Sequence, residues 1–148
     1  MAESLVYTFP VDGEDFTRAG EVSGNIKKTL KQIGLAPDLI RRVAIAMYEG
    51  EINMVIHANG GEITVSIFDD KIDIVLKDSG PGITDISLAM QEGYTTADDN
   101  IRSLGFGAGM GLCNMKKYTD EMRIESVPGV GTTVFMTLYI ENEREQNS

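Results

Sequence analysis

Glu49 and Asn53 stand four residues apart in a stretch that is otherwise apolar, so on a helix both project to the same side. A carboxylate and an amide so placed could act as a general base and as an oxygen ligand for a hard cation. Mg2+ takes oxygen donors and keeps several waters, so one amide oxygen together with substrate phosphates suffices. The plainer reading puts Glu49 on a solvated stripe with Glu51. A second group, Asp78-Ser-Gly80-Pro-Gly82-Ile83, directly follows a strand-like segment. It reads either as a turn or as a strand end whose carboxylate accepts a hydrogen bond from a buried amino group such as that of adenine. In the second case the glycines leave room for a flat base. The densest signal is Gly105-Phe-Gly107-Ala-Gly109-Met110-Gly111-Leu112. Of 16 glycines in the chain, nine lie from Gly80 to Gly131, and four of those fall in Gly105–Gly111. No Lys follows them, so the P-loop pattern is absent. The spacing and the polar lead-in also fail the dinucleotide fingerprint. What remains is a glycine-rich loop feeding a helix N-terminus, where backbone N–H groups and the helix dipole make a phosphate cradle. A mere surface loop would more commonly hold Ser and polar residues than Phe106, Met110 and Leu112. Arg102 stands close enough before the glycines to reach a phosphate, or to sit on a solvated lid.

The other reactive residue types read as structural. His57 suits packing or capping, Cys113 a buried helix position, and the methionines the core.

These groups need elements to hold them. Leu5–Val11 is β-rich and reads as a short strand near Pro10. Phe16, Ala19, Val22, Ile26, Leu30 and Ile33 mark one face of an amphipathic helix that Gly34 ends. Pro37 opens a second helix over about 37–58, apolar most of the way round and therefore buried. After a turn at Asn59-Gly-Gly61, Ile63, Val65 and Ile67 and then Ile72, Ile74 and Leu76 alternate with polar residues, as in a hairpin of half-buried strands. A short helix near 84–91, a polar stretch over 93–103, a helix near 109–119 and strands near 121–127 and 132–140 complete the order. That order, β-α-α-β-β-α-α-β-β, predicts an α+β fold: a two-layer sandwich of a mixed, mostly antiparallel sheet with its helices on one face. Residues 1–140 read as a single domain and 141–148 as a charged, frayed tail.

Composition excludes several classes. The chain has 148 residues, with 13 Lys and Arg against 23 Asp and Glu, a net charge of -10. That balance argues against a nucleic-acid surface, which needs clustered cations. There is no run of about 18 apolar residues to span a membrane. The start, Met1-Ala-Glu-Ser, lacks a signal-peptide pattern, so a cytoplasmic location is the default expectation. One Cys and one His make a zinc site implausible.

Taken in order and at these separations, the motifs resemble the GHKL ATP-binding superfamily of gyrase, heat-shock chaperone, histidine kinase and MutL type. Glu49-x-x-x-Asn53 is similar to its N box, Asp78-Ser-Gly-Pro-Gly82 to its D-x-G-x-G box, Gly105–Leu112 to its second glycine box, and Gly131-Thr132-Thr133 to its terminal G-T box. The length leaves no room for the second ATPase domain of the gyrase type or the dimerisation domain of a sensor kinase. The chain instead resembles the small anti-sigma-factor serine/threonine kinases. Residues 78–84, 90–96 and 105–118 carry that likeness, and the extra Gly105-Phe-Gly107 step is closer to the stressosome switch-kinase form. The resemblance implies ATP and Mg2+ as cofactors and a STAS-type antagonist protein as substrate, with a sigma factor or other regulator as a further partner. It implies Glu49 as the base acting on a Ser or Thr hydroxyl, and Asn53 as the Mg2+ ligand. Asp78 would read the adenine amino group, with Gly80, Gly82, Ile83 and Thr132 around the base. Gly105, Gly107, Gly109, Met110, Gly111 and Leu112 would wrap the phosphates beneath a lid over 93–104 that includes Arg102.

Overall fold

The computed structural model describes residues 5–12, 20–58, 60–80 and 111–140. Five strands and three helices lie within them: β1 (Leu5–Asp12), α1 (Glu21–Ile33), α2 (Pro37–Ala58), β2 (Gly60–Ile67), β3 (Lys71–Lys77), α3 (Gly111–Tyr118), β4 (Glu121–Val127) and β5 (Gly131–Tyr139). The sheet order is β1-β2-β3-β5-β4. The expected mostly antiparallel sheet is antiparallel in every ladder of the described residues.

Period-two alternation decides which side of the sheet is covered. Ile63, Val65 and Ile67 of β2, Ile72, Ile74 and Leu76 of β3, and Val134, Met136 and Leu138 of β5 form one cluster with Val22, Ile26 and Leu30 of α1. Leu39, Ile40, Val43, Ala46, Met47 and Met54 of α2 and Met115 of α3 join them. Helices therefore pack on one face, as the patterning predicts. On the other face the polar partners pair among themselves: Thr137 donates to Asp73 at 2.8 Å, and Arg123 lies 4.2 Å from the centre of the Phe135 ring. The buried character expected of α2 holds, and Met47, Met54, Met115 and Met136 are core residues. Cys113 is half-buried.

Three local expectations need correction. Ile33 is not on the core face but 42% exposed. The chain reverses at Gly34, and the Leu35 N–H returns to the Leu30 carbonyl at 3.3 Å, so Leu35 packs against the core instead. Gly60 and Gly61 are not a free turn, because they already pair with Asp12 and Val11 of β1. The last strand runs over Gly131–Tyr139, one residue earlier than expected. Phe16, Ala19, Asn59, the helix near 84–91, the stretch 93–104 and the tail 141–148 lie outside the described residues, as does the side chain of His57.

α3 is fastened at its C-terminal end. Arg42 of α2 donates to the Tyr118 carbonyl at 3.3 Å and to Asp120 at 3.1 Å. The second oxygen of Asp120 accepts the Tyr139 N–H of β5 at 2.7 Å. One carboxylate thus joins the helical layer to the sheet.

Candidate functional site

The middle of α2 lies close on its neighbours because residue 50 has no side chain. A Cβ on Gly50 would overlap the Leu76 side chain of β3 and stand 3.2 Å from the Met115 sulfur of α3. Glycine inside a helix costs about 1 kcal/mol relative to alanine, and here it allows the close approach. The flanking carboxylates then diverge. Glu49 is half-buried, and its Oε1 accepts a hydrogen bond from Asn114 Nδ2 of α3 at 3.2 Å. Asn53 is half-buried one turn further along the same side. Glu51 turns to the opposite side and is 2% exposed. Its Oε2 accepts the Val22 N–H at 3.2 Å and its Oε1 the Ser23 N–H at 3.1 Å. The N-cap of α1 is Gly20, which has no side chain to cap the helix, so Glu51 supplies the acceptors that helix N-termini need. The reading that set both glutamates on a solvated stripe fails for Glu51, which is a buried cap.

Asp78 follows the last residue of β3 and is held from two directions. Its Oδ1 accepts the Gly80 N–H at 2.9 Å, closing the expected turn, and also the Thr132 N–H of β5 at 3.1 Å. The Asp78 N–H donates to the Thr132 carbonyl at 2.9 Å. Among the described residues Oδ2 has no hydrogen-bond partner, so the turn leaves a second acceptor oxygen. Strands on both sides come close to this backbone. At Gly131, with φ +153, a Cβ would overlap the Asp78 carbonyl oxygen; at Gly61 it would overlap the Lys77 carbonyl and stand 2.6 Å from Met54 Cε. Thr132 is buried at 8% exposure, and its hydroxyl meets Ser126 at 2.9 Å.

The structure joins Glu49 on α2 to Asn114 on α3, and Asp78 after β3 to Gly80 and to Thr132 on β5, while Gly50, next to Glu49, packs on Leu76, two residues before Asp78. Leu112 packs against the core, which fixes how α3 is rotated. Gly82, Ile83, Arg102, Gly105, Gly107, Gly109 and Met110 lie outside the described residues. Asn114, Glu51 and Gly61 were missed. No local pattern marks Asn114, whose partner is 65 residues away. Glu51 could have been singled out as a carboxylate in an apolar helix, and Gly61 as half of a glycine pair beside a strand.

The residues fit a nucleotide and its cation in chemical type. Asp78 Oδ2 is an acceptor suited to an exocyclic amine, and Asn53 offers one amide oxygen, the kind of single protein donor that Mg2+ accepts beside phosphates and water.

A two-layer sandwich with this strand order and these motifs defines a histidine kinase-like ATPase domain. That family matches residues 14–138, and the chain belongs to it. Its relatives narrow the class to the anti-sigma-factor kinase group. An anti-sigma F factor of Caldanaerobacter subterraneus is 41% identical over 110 residues, covering 71% of this chain and 73% of the relative. The serine/threonine-protein kinase RsbT of Bacillus subtilis is 29% identical over 124 residues, covering 81% and 85%. Among solved structures, the RsbU and RsbW domains of a Mycobacterium tuberculosis protein share the fold with a TM-score of 0.63 at 17% identity. That match covers 93% of this chain, which spans 33% of the larger structure. Among the described residues, no helix is long and apolar enough to cross a membrane.

Proposed function

We propose that this protein is an ATP-dependent serine/threonine-protein kinase of a cytoplasmic partner-switching module, and that its substrate is a small STAS-type antagonist protein. The observation that supports it most is the half-buried Glu49 carboxylate. One oxygen is held by Asn114 at 3.2 Å, while Asn53 stands on the same side of the helix. In this reading the hydroxyl oxygen of a substrate Ser or Thr bonds to the γ-phosphorus of ATP. The bond from that phosphorus to the β–γ bridging oxygen breaks, ADP leaves, and the hydroxyl proton passes to Glu49. Asp78 accepts from the adenine amino group, with Gly80, Gly82, Ile83 and Thr132 lining the base site. The segment Gly105–Leu112 and Arg102 hold the phosphates through N–H groups and one guanidinium. Asn53 would hold Mg2+ through its amide oxygen, and the ion would supply charge neutralisation at the phosphates. Positioning and electrostatic stabilisation carry most of the catalysis in phosphoryl transfer.

The test is incubation with γ-labelled ATP, Mg2+ and a STAS-type partner. Label should appear on a Ser or Thr of the partner and be lost with Glu49→Gln. Micromolar ATP binding without any transfer would overturn the kinase reading. It would favour a second one, a nucleotide-dependent sequestering protein, to which the name anti-sigma F factor of the 41% identical relative lends support.

A further inference from the structure

Resting on the reading of Glu49 as base, we infer that Asn114 is the residue that positions it, and that it links the base's orientation to the seating of α3. A carboxylate only accepts hydrogen bonds, so the contact at 3.2 Å requires the Asn114 amide nitrogen to point at Glu49. With Oε1 so engaged, Oε2 is the oxygen left to take a proton, and the carboxylate plane is set by the donor. Asn114 sits one turn inside α3, whose first residue, Gly111, is also the last glycine of the glycine box. Leu112 and Met115 anchor the same turn in the core. Asn114 Nδ2 is the α3 donor that reaches the Glu49 carboxylate. Glu49 therefore takes its orientation from the helix that opens at the phosphate-binding segment. On the far side of α2, Glu51 holds α1 through backbone N–H groups, and that bond does not involve the base. Leu112, Asn114 and Met115 lie on the same stretch of α3, so the seating of that stretch on the core sets where the Asn114 donor meets Glu49. Misplacing a reacting group by about 1 Å can cost about 100-fold in rate, which is the scale on which such a link acts.

The experiment measures kcat and KM for ATP with the STAS-type partner that accepts label, together with thermal melting of each variant. Asn114→Asp keeps the shape but removes the donor and sets two carboxylates against each other. It should lower kcat at least tenfold while KM for ATP stays within threefold. Asn114→Gln, which keeps the amide, should recover part of that loss. Asn114→Ala placed in the Glu49→Gln background should change the residual rate by less than twofold, because residues acting through one contact are not additive. A wild-type kcat in Asn114→Asp overturns the inference. So does an equal loss from Asn114→Ala in both backgrounds, which marks a role in the α2–α3 packing alone. A wild-type kcat in Glu49→Gln overturns the base reading itself, and that result is separate from anything seen at residue 114.

Discussion

Glu49 and Glu51 have the same side chain, on the same helix, two residues apart, and their surroundings differ in kind. Glu51 is 2% exposed and accepts two backbone N–H groups from the first turn of α1. Those donors belong to the main chain and cannot turn away without unwinding the helix. Glu49 is half-buried and is held by one side-chain amide from α3. The first arrangement suits a permanent joint, because both oxygens are satisfied and water is excluded. The second suits chemistry, because one oxygen is left and the donor on the other is a side-chain amide rather than the main chain. Burial and the nature of the donor separate the two roles where residue type does not.

Exchanging the fates of the two residues is the sharpest way to break this contrast. Glu49→Gln should slow phosphotransfer by roughly 100- to 10,000-fold, the range of general-base catalysis, with a melting temperature close to wild type. Glu51→Ala should do the reverse. It strands two N–H donors at a buried helix start, and a lost cap with a charged acceptor amounts to roughly 2–4 kcal/mol. Urea unfolding would show that loss, while the kcat of the remaining folded protein should fall no more than a few-fold. If Glu51→Ala instead abolished transfer in fully folded protein, the division would fail. A smaller effect probes the strand end that carries Asp78. Gly131→Ala would press a methyl group on the Asp78 carbonyl, so backbone must shift at a cost of roughly 1–3 kcal/mol. Calorimetry should show weaker ATP binding as Asp78 is displaced, and unchanged binding would mean that Asp78 does not face the base.

The smallest effect lies on the open face of the sheet, away from both glutamates. The Tyr139 hydroxyl donates to the Glu121 carboxylate, and that bond, followed by partial desolvation and the negative charge of Glu121, Asp120 and Asp73, raises the Tyr139 pKa above the ordinary 10.0. A proton held more tightly in the folded state stabilises it fully below the unfolded pKa, and that stabilisation fades as pH rises through the folded one. The difference in urea midpoint between wild type and Tyr139→Phe should thus be constant at neutral pH, begin to shrink above about pH 10 and disappear only once pH has passed the raised folded value, with transfer activity unaffected throughout.

Most of the architecture was legible in the sequence, because period-two and period-3.6 patterns record which face is buried. Ile63-x-Val65-x-Ile67 and the apolar body of α2 are of this kind. Ile33 misled because periodicity cannot say that the chain reverses at Gly34 and sends Leu35 inward. The Gly60-Gly61 pair misled because glycine signals a turn and a tight strand approach alike. Asp78 was posed as either a turn residue or a ligand acceptor, but a carboxylate has two oxygens, and the turn occupies only Oδ1. The roles of Glu51 and Asn114 lay beyond reach for a common reason. The partners of Glu51 are 28 and 29 residues distant and Glu49, the partner of Asn114, is 65, and no local spacing encodes a contact made by packing one helix on another.

The Arg42–Asp120 clasp has a mechanical consequence for α3. With Tyr118 tied to α2 and Asp120 tied to β5, the C-terminal end of that helix is a fixed pivot. Eight residues rising 1.5 Å each make a lever about 12 Å long, so a tilt of about 5° about the pivot carries Gly111 by about 1 Å. Asn114 rides midway along the arm and travels roughly half as far, enough to make or release a single 3.2 Å contact.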